Sequence, residues 1–288
     1  MAGKAKLSAV AVKKMKQDGR KISMTTAYDY PTALLVDQAE IDILLVGDSV
    51  GTVMLGYENT VPVTVEDIIH HCKAVARAVK RTLIVGDMPF MSFNVAPDEA
   101  MRNAGRIIKQ GGADVVKLEG GEEVADCVEA IVRRCGIPVM GHIGLTPQRI
   151  SELGGFKVQG KSAADARNLL SDALALQEAG AFGLVLECVP HELGKLVTER
   201  VSIPTIGIGA GPDCDGQVLV LHDLLGLTPN FSPKFVKKYA DLEQTILQSL
   251  AQYKSEIAAG TFPDREQHSF SMPSAALEEL SASEESCP

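Results

Sequence analysis

The stretch Leu44-Leu45-Val46-Gly47-Asp48-Ser49-Val50-Gly51 decides the fold, because an apolar run ends there at a carboxylate and the chain then turns on glycine. A second copy, Leu83-Ile84-Val85-Gly86-Asp87-Met88-Pro89, follows it, and the two aspartates are 87 − 48 = 39 residues apart. That interval suits one strand, one helix and their loops. Since successive βα units present the carboxyl ends of their parallel strands on one face, Asp48 and Asp87 are predicted to meet there.

The paired aspartates predict a metal site. Two close carboxylates repel, and each raises the pKa of the other unless a cation lies between them. A hard divalent metal is the simplest such cation. The alternative is that each aspartate caps a helix or satisfies a turn. The repetition of Val-Gly-Asp at two strand ends favours the functional interpretation, because barrel enzymes place their chemistry at that face.

Outward from these strands, segments rich in Val, Ile and Leu alternate with helical patterns. The predicted strands are 22–27, 43–48, 83–87, 115–119, 138–142, 183–188, 204–209 and 217–221. The predicted helices are 31–39, 65–80, 98–110, 122–135, 162–179, 191–199 and 234–258, with an extra N-terminal helix over 7–17 suited to closing the bottom of a barrel. Eight such units predict an α/β fold, a (β/α)8 TIM barrel. A doubly wound sheet is the alternative, but no reversal of strand order is marked in the sequence.

The composition limits the class of protein. No apolar run approaches the roughly 20 residues of a membrane span, and no apolar stretch follows the basic start of the chain. Six cysteines without a C-x-x-C pair indicate a reducing, cytoplasmic setting. The net charge of −9 includes −4 from Glu278, Glu279, Glu284 and Glu285, which leaves −5 for the body. Without a basic cluster, neither nucleic acid nor membrane is an expected partner.

The domain organisation is predicted to be simple. Residues 1–271 form a single catalytic barrel domain. Residues 272–288 are rich in Ser, Ala and Glu and have no aromatic residue, so we expect a mobile acidic tail, with 275–280 as a candidate short helix.

Polar residues end most of the other predicted strands. Lys117 and Glu119 alternate with apolar neighbours and point to one face, where two charged groups are costly unless paired or used. Glu187 ends an apolar run and is a candidate general base, or else a solvated strand-end carboxylate. His142 fits either a metal or anion ligand or a core histidine bonded to a backbone carbonyl.

These residues imply a chemistry. Carboxylates at a barrel mouth suit Mg²⁺ with open water positions, which an α-keto acid would fill with its keto and carboxylate oxygens. The metal acidifies the C–H group beside the ketone and stabilises the enolate. Glu187 would take that proton, Lys117 would hold the carboxylate of the acid, and the enolate would attack an electrophilic carbon.

Several motifs carry a family resemblance, in order, over about residues 7–270. They are 24–29 (MTTAYD), 45–49 (LVGDS), 87–90 (DMPF), 116–120 (VKLEG), 141–148 (GHIGLTPQ), 186–190 (LECVP), 207–211 (GIGAG) and 215–220 (DGQVLV). With these motifs the chain resembles the ketopantoate hydroxymethyltransferase family. Glu40 departs from the glycine usual in that family, a change expected to be harmless, and the tail lies outside the resemblance.

The resemblance implies a barrel of the phosphoenolpyruvate/pyruvate type that assembles as a homodecamer. It implies transfer of a hydroxymethyl group from 5,10-methylenetetrahydrofolate to 3-methyl-2-oxobutanoate, giving 2-dehydropantoate for pantothenate and coenzyme A biosynthesis. It places Mg²⁺ on Asp48, Asp87 and Glu119. It places the keto acid against Asp48, Ser49, Asp87 and Lys117, and makes Glu187 the base. The role of His142 and the residues that bind folate stay open.

Three other functions compete with this one. A Mg²⁺-dependent lyase or mutase on the same barrel would use similar carboxylates with a different base or nucleophile. A non-catalytic barrel that binds a keto acid would leave the C3 hydrogen of the acid in place in D₂O. A metal-free aldolase would form a Schiff base on Lys117, which borohydride would trap.

Overall fold

Parallel strands form the centre of the molecule. The computed structural model describes residues 5–153, 155, 157–228 and 233–284. In these residues eight strands pair in sequence order, and the eighth pairs with the first, so the sheet closes into a barrel. The strands are β1 (Ile22–Thr26), β2 (Ile43–Val46), β3 (Leu83–Asp87), β4 (Val115–Glu119), β5 (Val139–Gly144), β6 (Gly183–Glu187), β7 (Thr205–Ile208) and β8 (Gly216–Leu219). The predicted TIM barrel is confirmed, and the doubly wound alternative is wrong because this sheet has no edge.

Helices precede, connect and follow the strands along the chain. They are α1 (Ala9–Gln17), α2 (Tyr30–Gln38), α3 (Val50–Val53), α4 (Val65–Ala78), α5 (Pro97–Arg106), α6 (Ala125–Cys135), α7 (Ile150–Leu153), α8 (Ala163–Glu178), α9 (His191–Arg200), α10 (Leu221–Leu225), α11 (Leu242–Ala259) and α12 (Ser274–Glu284). A π-helical turn, Ile107–Gly111, extends α5. Short 3₁₀ turns occupy Glu122–Val124 and Pro147–Arg149. No helix within the described ranges is both long enough and apolar enough to cross a bilayer.

The N-terminal helix α1 closes the bottom of the barrel, as predicted. Ser8 caps it by accepting a hydrogen bond from the Ala11 amide. Its buried residues Val12 and Met15 belong to one cluster with the first residues of the strands, among them Ile43 and Val115. The strands therefore keep one end of the barrel sealed by apolar contacts, and only the opposite end is open for chemistry.

The chain divides into two compact units, Met1–Tyr239 and Ala240–Pro288. This boundary differs from the one we expected, at residue 271. The barrel and helices α1 to α10 lie in the first unit, and α11 and α12 lie in the second. The candidate short helix at 275–280 lies inside the longer α12. The last residues of the predicted tail, 285–288, lie outside the described residues.

The predicted helix 234–258 is wrong at its start. Residues just after Pro233 turn instead, with the Val236 amide donating to the Pro233 carbonyl at 2.9 Å and the Tyr239 amide donating to the Leu224 carbonyl at 2.8 Å. Helix α11 begins later, where the Asp241 side chain accepts from the Gln244 amide. The helical pattern continued through this segment, but proline and an aspartate N-cap set the true start.

The departure at Glu40 falls at a backbone position that favours glycine. Glu40 follows α2 with φ of 59°, in the left-handed region. A side chain there is strained, whereas glycine is not. Its carboxylate lies 2.6 Å from the Arg81 guanidinium, which offsets part of that cost.

Candidate functional site

The predicted site residues converge at the open end of the barrel. A cavity of about 330 Å³ is lined there by Asp48, Ser49, Asp87, Lys117, Glu119, His142 and Glu187, among others. These side chains come from the carboxyl ends of five consecutive strands, β2 to β6, or from the loops that follow them. Their arrangement has two connected halves, one around Asp87 and one around His142.

The two aspartates are joined directly. The Asp48 amide donates to Asp87 Oδ2 at 3.0 Å, so the end of β2 is fixed to the side chain that ends β3. The glycine before Asp87 has a packing reason, because a Cβ on Gly86 would lie 2.4 Å from the Ile107 side chain. The second Val-Gly-Asp, at the end of β3, therefore combines a close helix contact with a carboxylate at the mouth.

Lys117 lies between the carboxylates of two strands. Its Nζ is 2.7 Å from Asp87 Oδ1 and 3.7 Å from Glu119 Oε1. Burial opposes its charge, but Asp87, Glu119 and Asp48 outweigh burial and hold the pKa of Lys117 above its ordinary value. The predicted alternation is confirmed, since Lys117 and Glu119 face the cavity while Val116 and Leu118 pack in the outer core.

His142 connects Glu119 to Glu187. Its Nδ1 lies 3.2 Å from Glu119 Oε1 and its Nε2 lies 3.2 Å from Glu187 Oε2. Burial and Lys117, whose Nζ is 3.4 Å from Nδ1, lower the pKa of His142, but the two glutamates outweigh them and raise it to about 9. Burial alone would raise the pKa of Glu119, yet His142 and Lys117 hold it below its usual range. The imidazole is therefore a cation held between two carboxylates.

Gln148 is a site residue that the sequence reasoning did not single out. It is buried in the turn after β5, where its Nε2 donates to Asp48 Oδ2 and to the Met88 carbonyl, both at 3.0 Å. Its backbone amide donates to Glu119 Oε2 at 3.1 Å. A glutamine after a proline carries no local signal. Only closure of the barrel brings this turn over β2.

A tyrosine holds the Ser49 side chain at the edge of the cavity. The hydroxyls of Tyr28 and Ser49 lie 2.8 Å apart and share a hydrogen bond. Tyr28 is buried, and burial raises its pKa. The phenol is therefore a neutral partner that fixes the serine at the rim of the cavity.

The charges of the site suit a divalent cation. Fully charged, the four carboxylates (Asp48, Asp87, Glu119, Glu187) and two cations (Lys117, His142) would sum to −2. Burial, then Asp87 and Glu119, raise the pKa of Asp48 to about 8, so without a cation this carboxyl keeps its proton near neutral pH. Burial likewise raises the pKa of Asp87, although Lys117 opposes it.

Two of the oxygens also have spare acceptor capacity. Asp87 Oδ1 and Glu119 Oε1 are buried without a well-directed hydrogen bond, even though ammonium and imidazole groups lie near them. Across the described residues, no group of three or more His, Cys, Asp or Glu is arranged to hold a metal ion. The net charge of the cluster and these two oxygens are what favour a hard cation such as Mg²⁺, with water or substrate completing its ligands.

The closed barrel of eight parallel strands places the chain in the (β/α)8 class of folds. The fold matches that of phosphonopyruvate hydrolase in complex with oxalate and Mg²⁺, with a TM-score of 0.60 and 11% identity over 97% of this chain and 96% of that one. It also matches 2,3-dimethylmalate lyase, described as a PEP mutase/isocitrate lyase superfamily member, with a TM-score of 0.58 and 13% identity over 96% and 95% of the two chains. These likenesses show the fold alone.

The sequence comparison is more specific. The family model for ketopantoate hydroxymethyltransferase matches residues 6–265, and the chain belongs to that family. The 3-methyl-2-oxobutanoate hydroxymethyltransferase of Thermoanaerobacter sp. (strain X514) is 56% identical over 267 residues, which cover 93% of this chain and 97% of that one. The enzyme of the same name from Moorella thermoacetica is 56% identical over 270 residues, covering 94% and 100%. The chain is thus a transferase, not a lyase, a mutase or a non-catalytic binding protein.

Proposed function

We propose that the enzyme transfers a hydroxymethyl group from 5,10-methylenetetrahydrofolate to 3-methyl-2-oxobutanoate and forms 2-dehydropantoate, in pantothenate and coenzyme A biosynthesis. The names of the relatives support the keto acid and the transfer. The observation that carries the mechanism is the meeting of Lys117, the aspartate pair and the His142–Glu187 pair in one cavity. A cation for the acid, oxygen donors for a metal and a carboxylate base then lie within reach of one small molecule.

Asp48, Asp87 and Glu119 would hold Mg²⁺, Glu119 directly or through water. When bound, the ion supplies Lewis acidity, which draws electron density from the keto group and acidifies the adjacent C–H. The chain's own part is to fix the donors. Asp48 is held by Gln148, and Asp87 is held by the Asp48 amide.

The remaining residues bind the acid and move its proton. The Lys117 ammonium would pair with the carboxylate of the keto acid, with Ser49 and the two aspartates in contact with its other oxygens. Glu187 would remove the proton from C3 while His142 holds the glutamate side chain in place. The resulting carbanion forms a C–C bond to the methylene carbon of the donor. Overall, one water supplies the hydroxyl group and tetrahydrofolate leaves.

Glu187→Gln tests this assignment, because it keeps the size of the side chain and removes its basicity. Exchange of the C3 hydrogen of 3-methyl-2-oxobutanoate with D₂O, followed by NMR in the presence of Mg²⁺, should slow by about a hundredfold to ten-thousandfold. Binding of Mg²⁺ and the keto acid, measured by calorimetry, should persist.

Glu192→Gln is the matched control, since the Glu192 side chain is 74% exposed and does not line the cavity. It should exchange at the wild-type rate. If Glu187→Gln also exchanges at that rate, Glu187 is not the base and returns to a structural role.

Two further proposals concern the assembly and the location of the enzyme. We propose a homodecamer, supported by large apolar side chains exposed on α11, including Leu250 at 58% and Tyr253 at 52%. Light scattering of the full chain tests it. We also propose a cytoplasmic location, supported by free thiols at Cys72, Cys127, Cys135, Cys188 and Cys214.

A further inference from the structure

The cavity extends beyond the groups that the keto acid uses. Its outer part is lined by Tyr57 and Thr60, which lie between α3 and α4, and by Asp223 and Phe235, which follow β8. The cavity volume of about 330 Å³ lies within the range of small-molecule sites and exceeds the needs of a five-carbon acid. The outer part therefore has room for a second ligand beside the reacting carbon.

Two aromatic rings line this outer part, and each is seated on a glycine. A Cβ on Gly51 would lie 3.4 Å from the Tyr57 ring, and a Cβ on Gly209 would lie 3.0 Å from the Phe235 ring. The Tyr57 amide also donates to the Gly51 carbonyl at 2.8 Å. The glycines let both rings lie close to the barrel rim, where they line the cavity with aromatic surface.

Asp223 adds a buried acceptor to the same wall. The residue is 6% exposed, and its Oδ1 accepts a hydrogen bond from the Thr228 hydroxyl at 2.7 Å. The nearby cation Lys238 and the imidazole of His222 act on it only through space. Among the residues that the structure describes, the Thr228 hydroxyl is the one side-chain hydrogen-bond donor to this carboxylate, which leaves acceptor capacity for a ligand that carries adjacent N–H groups.

Thr60 provides a second polar atom without a partner. The residue is 6% exposed, and its hydroxyl is buried with no hydrogen-bond partner among the residues that the structure describes. Burying an unpaired hydroxyl is costly. Thr60 lines the cavity, so a rotation of its side chain would turn the hydroxyl toward a bound ligand, which would supply the missing hydrogen bond.

We propose that this outer part binds the pterin ring of the one-carbon donor. The ring lies against Tyr57 and Phe235. The Asp223 carboxylate accepts hydrogen bonds from the adjacent N3–H and 2-amino groups of the pterin, and the Thr60 hydroxyl bonds another polar atom of the ring. This arrangement rests on the proposed function, since it takes the donor to be a tetrahydrofolate, and it places the methylene carbon toward Lys117 and Glu187.

The test compares Asp223→Asn with Thr60→Val. Losing the carboxylate should raise the KM for 5,10-methylenetetrahydrofolate by roughly tenfold to a hundredfold, the span for one or more hydrogen bonds to a charged group. Losing the hydroxyl should raise it by about threefold to tenfold. C3–H exchange of the keto acid in D₂O needs no donor and should stay within about twofold of the wild-type rate in both variants.

Thr60→Val also distinguishes weaker recognition of the donor from a loss of protein stability. The substitution keeps the shape of the side chain and removes an unpaired polar atom, so the melting temperature should be unchanged or higher while the KM rises. Asp172→Asn is the control for Asp223→Asn. Asp172 is also partly buried and accepts a backbone hydrogen bond, from Glu122 at 3.0 Å, but it lies outside the cavity. The Asp172→Asn variant should have the wild-type KM for the donor.

A donor analogue with methyl in place of the 2-amino group completes the test. The wild type should bind the analogue more weakly than the normal donor, and Asp223→Asn should show a much smaller difference. Wild-type KM values in both variants would overturn the pterin site alone. Failure of the wild type to transfer a one-carbon unit from 5,10-methylenetetrahydrofolate at all would overturn the proposed function, and this inference with it.

Discussion

Gln148→Met is the perturbation that most directly probes how the metal site is built. Methionine has nearly the length and volume of glutamine but donates no hydrogen bond. The variant removes the contacts from Nε2 to Asp48 Oδ2 and to the Met88 carbonyl. It keeps the backbone contact to Glu119, because that donor is the amide of residue 148 itself. The expected loss is therefore confined to the side-chain support of Asp48.

The magnitude follows from these two contacts. A hydrogen bond to a charged group contributes about 1.5–3 kcal/mol, and a neutral one about 0.5–1.5 kcal/mol. Gln148 also opposes the rise in the pKa of Asp48, so its loss leaves less of that carboxyl ionised near neutral pH. Removing a hydrogen-bond partner of a metal ligand typically lowers metal affinity by about 10- to 100-fold. We expect that range here, with a modest loss of thermal stability.

Calorimetric titration of Mg²⁺, with and without saturating 3-methyl-2-oxobutanoate, measures the effect without relying on turnover. Gln159→Met is the matched control, since the Gln159 side chain also donates to a backbone carbonyl, that of Lys157 at 2.9 Å, but does not line the cavity. A Mg²⁺ Kd within about twofold of the wild-type value in Gln148→Met would show that Asp48 needs no support from this turn.

Three other perturbations have defined outcomes. Asp48→Ala or Asp87→Ala should abolish Mg²⁺-dependent keto acid binding in calorimetry while circular dichroism shows a folded barrel, and undiminished binding in both would rule out the metal assignment. Because the folded state raises the pKa of Asp48 from 3.8 to about 8, the folded protein holds a proton that the unfolded chain has lost between these values. Stability of the metal-free protein should therefore fall as pH rises toward 8, and the Mg²⁺-induced rise in Tm should grow over the same window. A Mg²⁺ effect on Tm that is independent of pH would contradict this linkage. Deleting residues 273–288 should leave activity and assembly nearly unchanged, since this segment is rich in Ser, Ala and Glu and lies beyond the family match, which ends at residue 265; a smaller oligomer by light scattering would show that the segment packs on something.

The strand-end residues were predictable because two simple rules act on them. Alternation along β4 separates Lys117 and Glu119 from their apolar neighbours, and parallel strands in a barrel share one mouth. Asp48, Asp87 and Glu187 follow from the same reasoning. These positions are set by the pleat and by closure of the sheet, both of which leave a pattern in the local sequence.

The loop residues were not predictable in this way. Gln148, Thr60 and Asp223 reach the cavity along connections whose paths depend on tertiary contacts, not on periodicity. The start of α11 was missed for a related reason, because contacts to Leu224 and a cap at Asp241 override a continuous helical pattern. The unit boundary after Tyr239 follows the same turn.

The ion pair between Lys117 and Asp87 has a consequence for the fate of the substrate's oxygen. An amine must lose its proton before it can add to a ketone, and the surrounding carboxylates hold the pKa of Lys117 above its ordinary value. The lysine therefore lacks the free lone pair that imine formation requires. We therefore expect no imine on Lys117, and no exchange of the ketone oxygen with solvent by that route. In a reaction run faster than spontaneous hydration of the ketone, an ¹⁸O label placed on its oxygen should be retained in the product, as mass spectrometry would show.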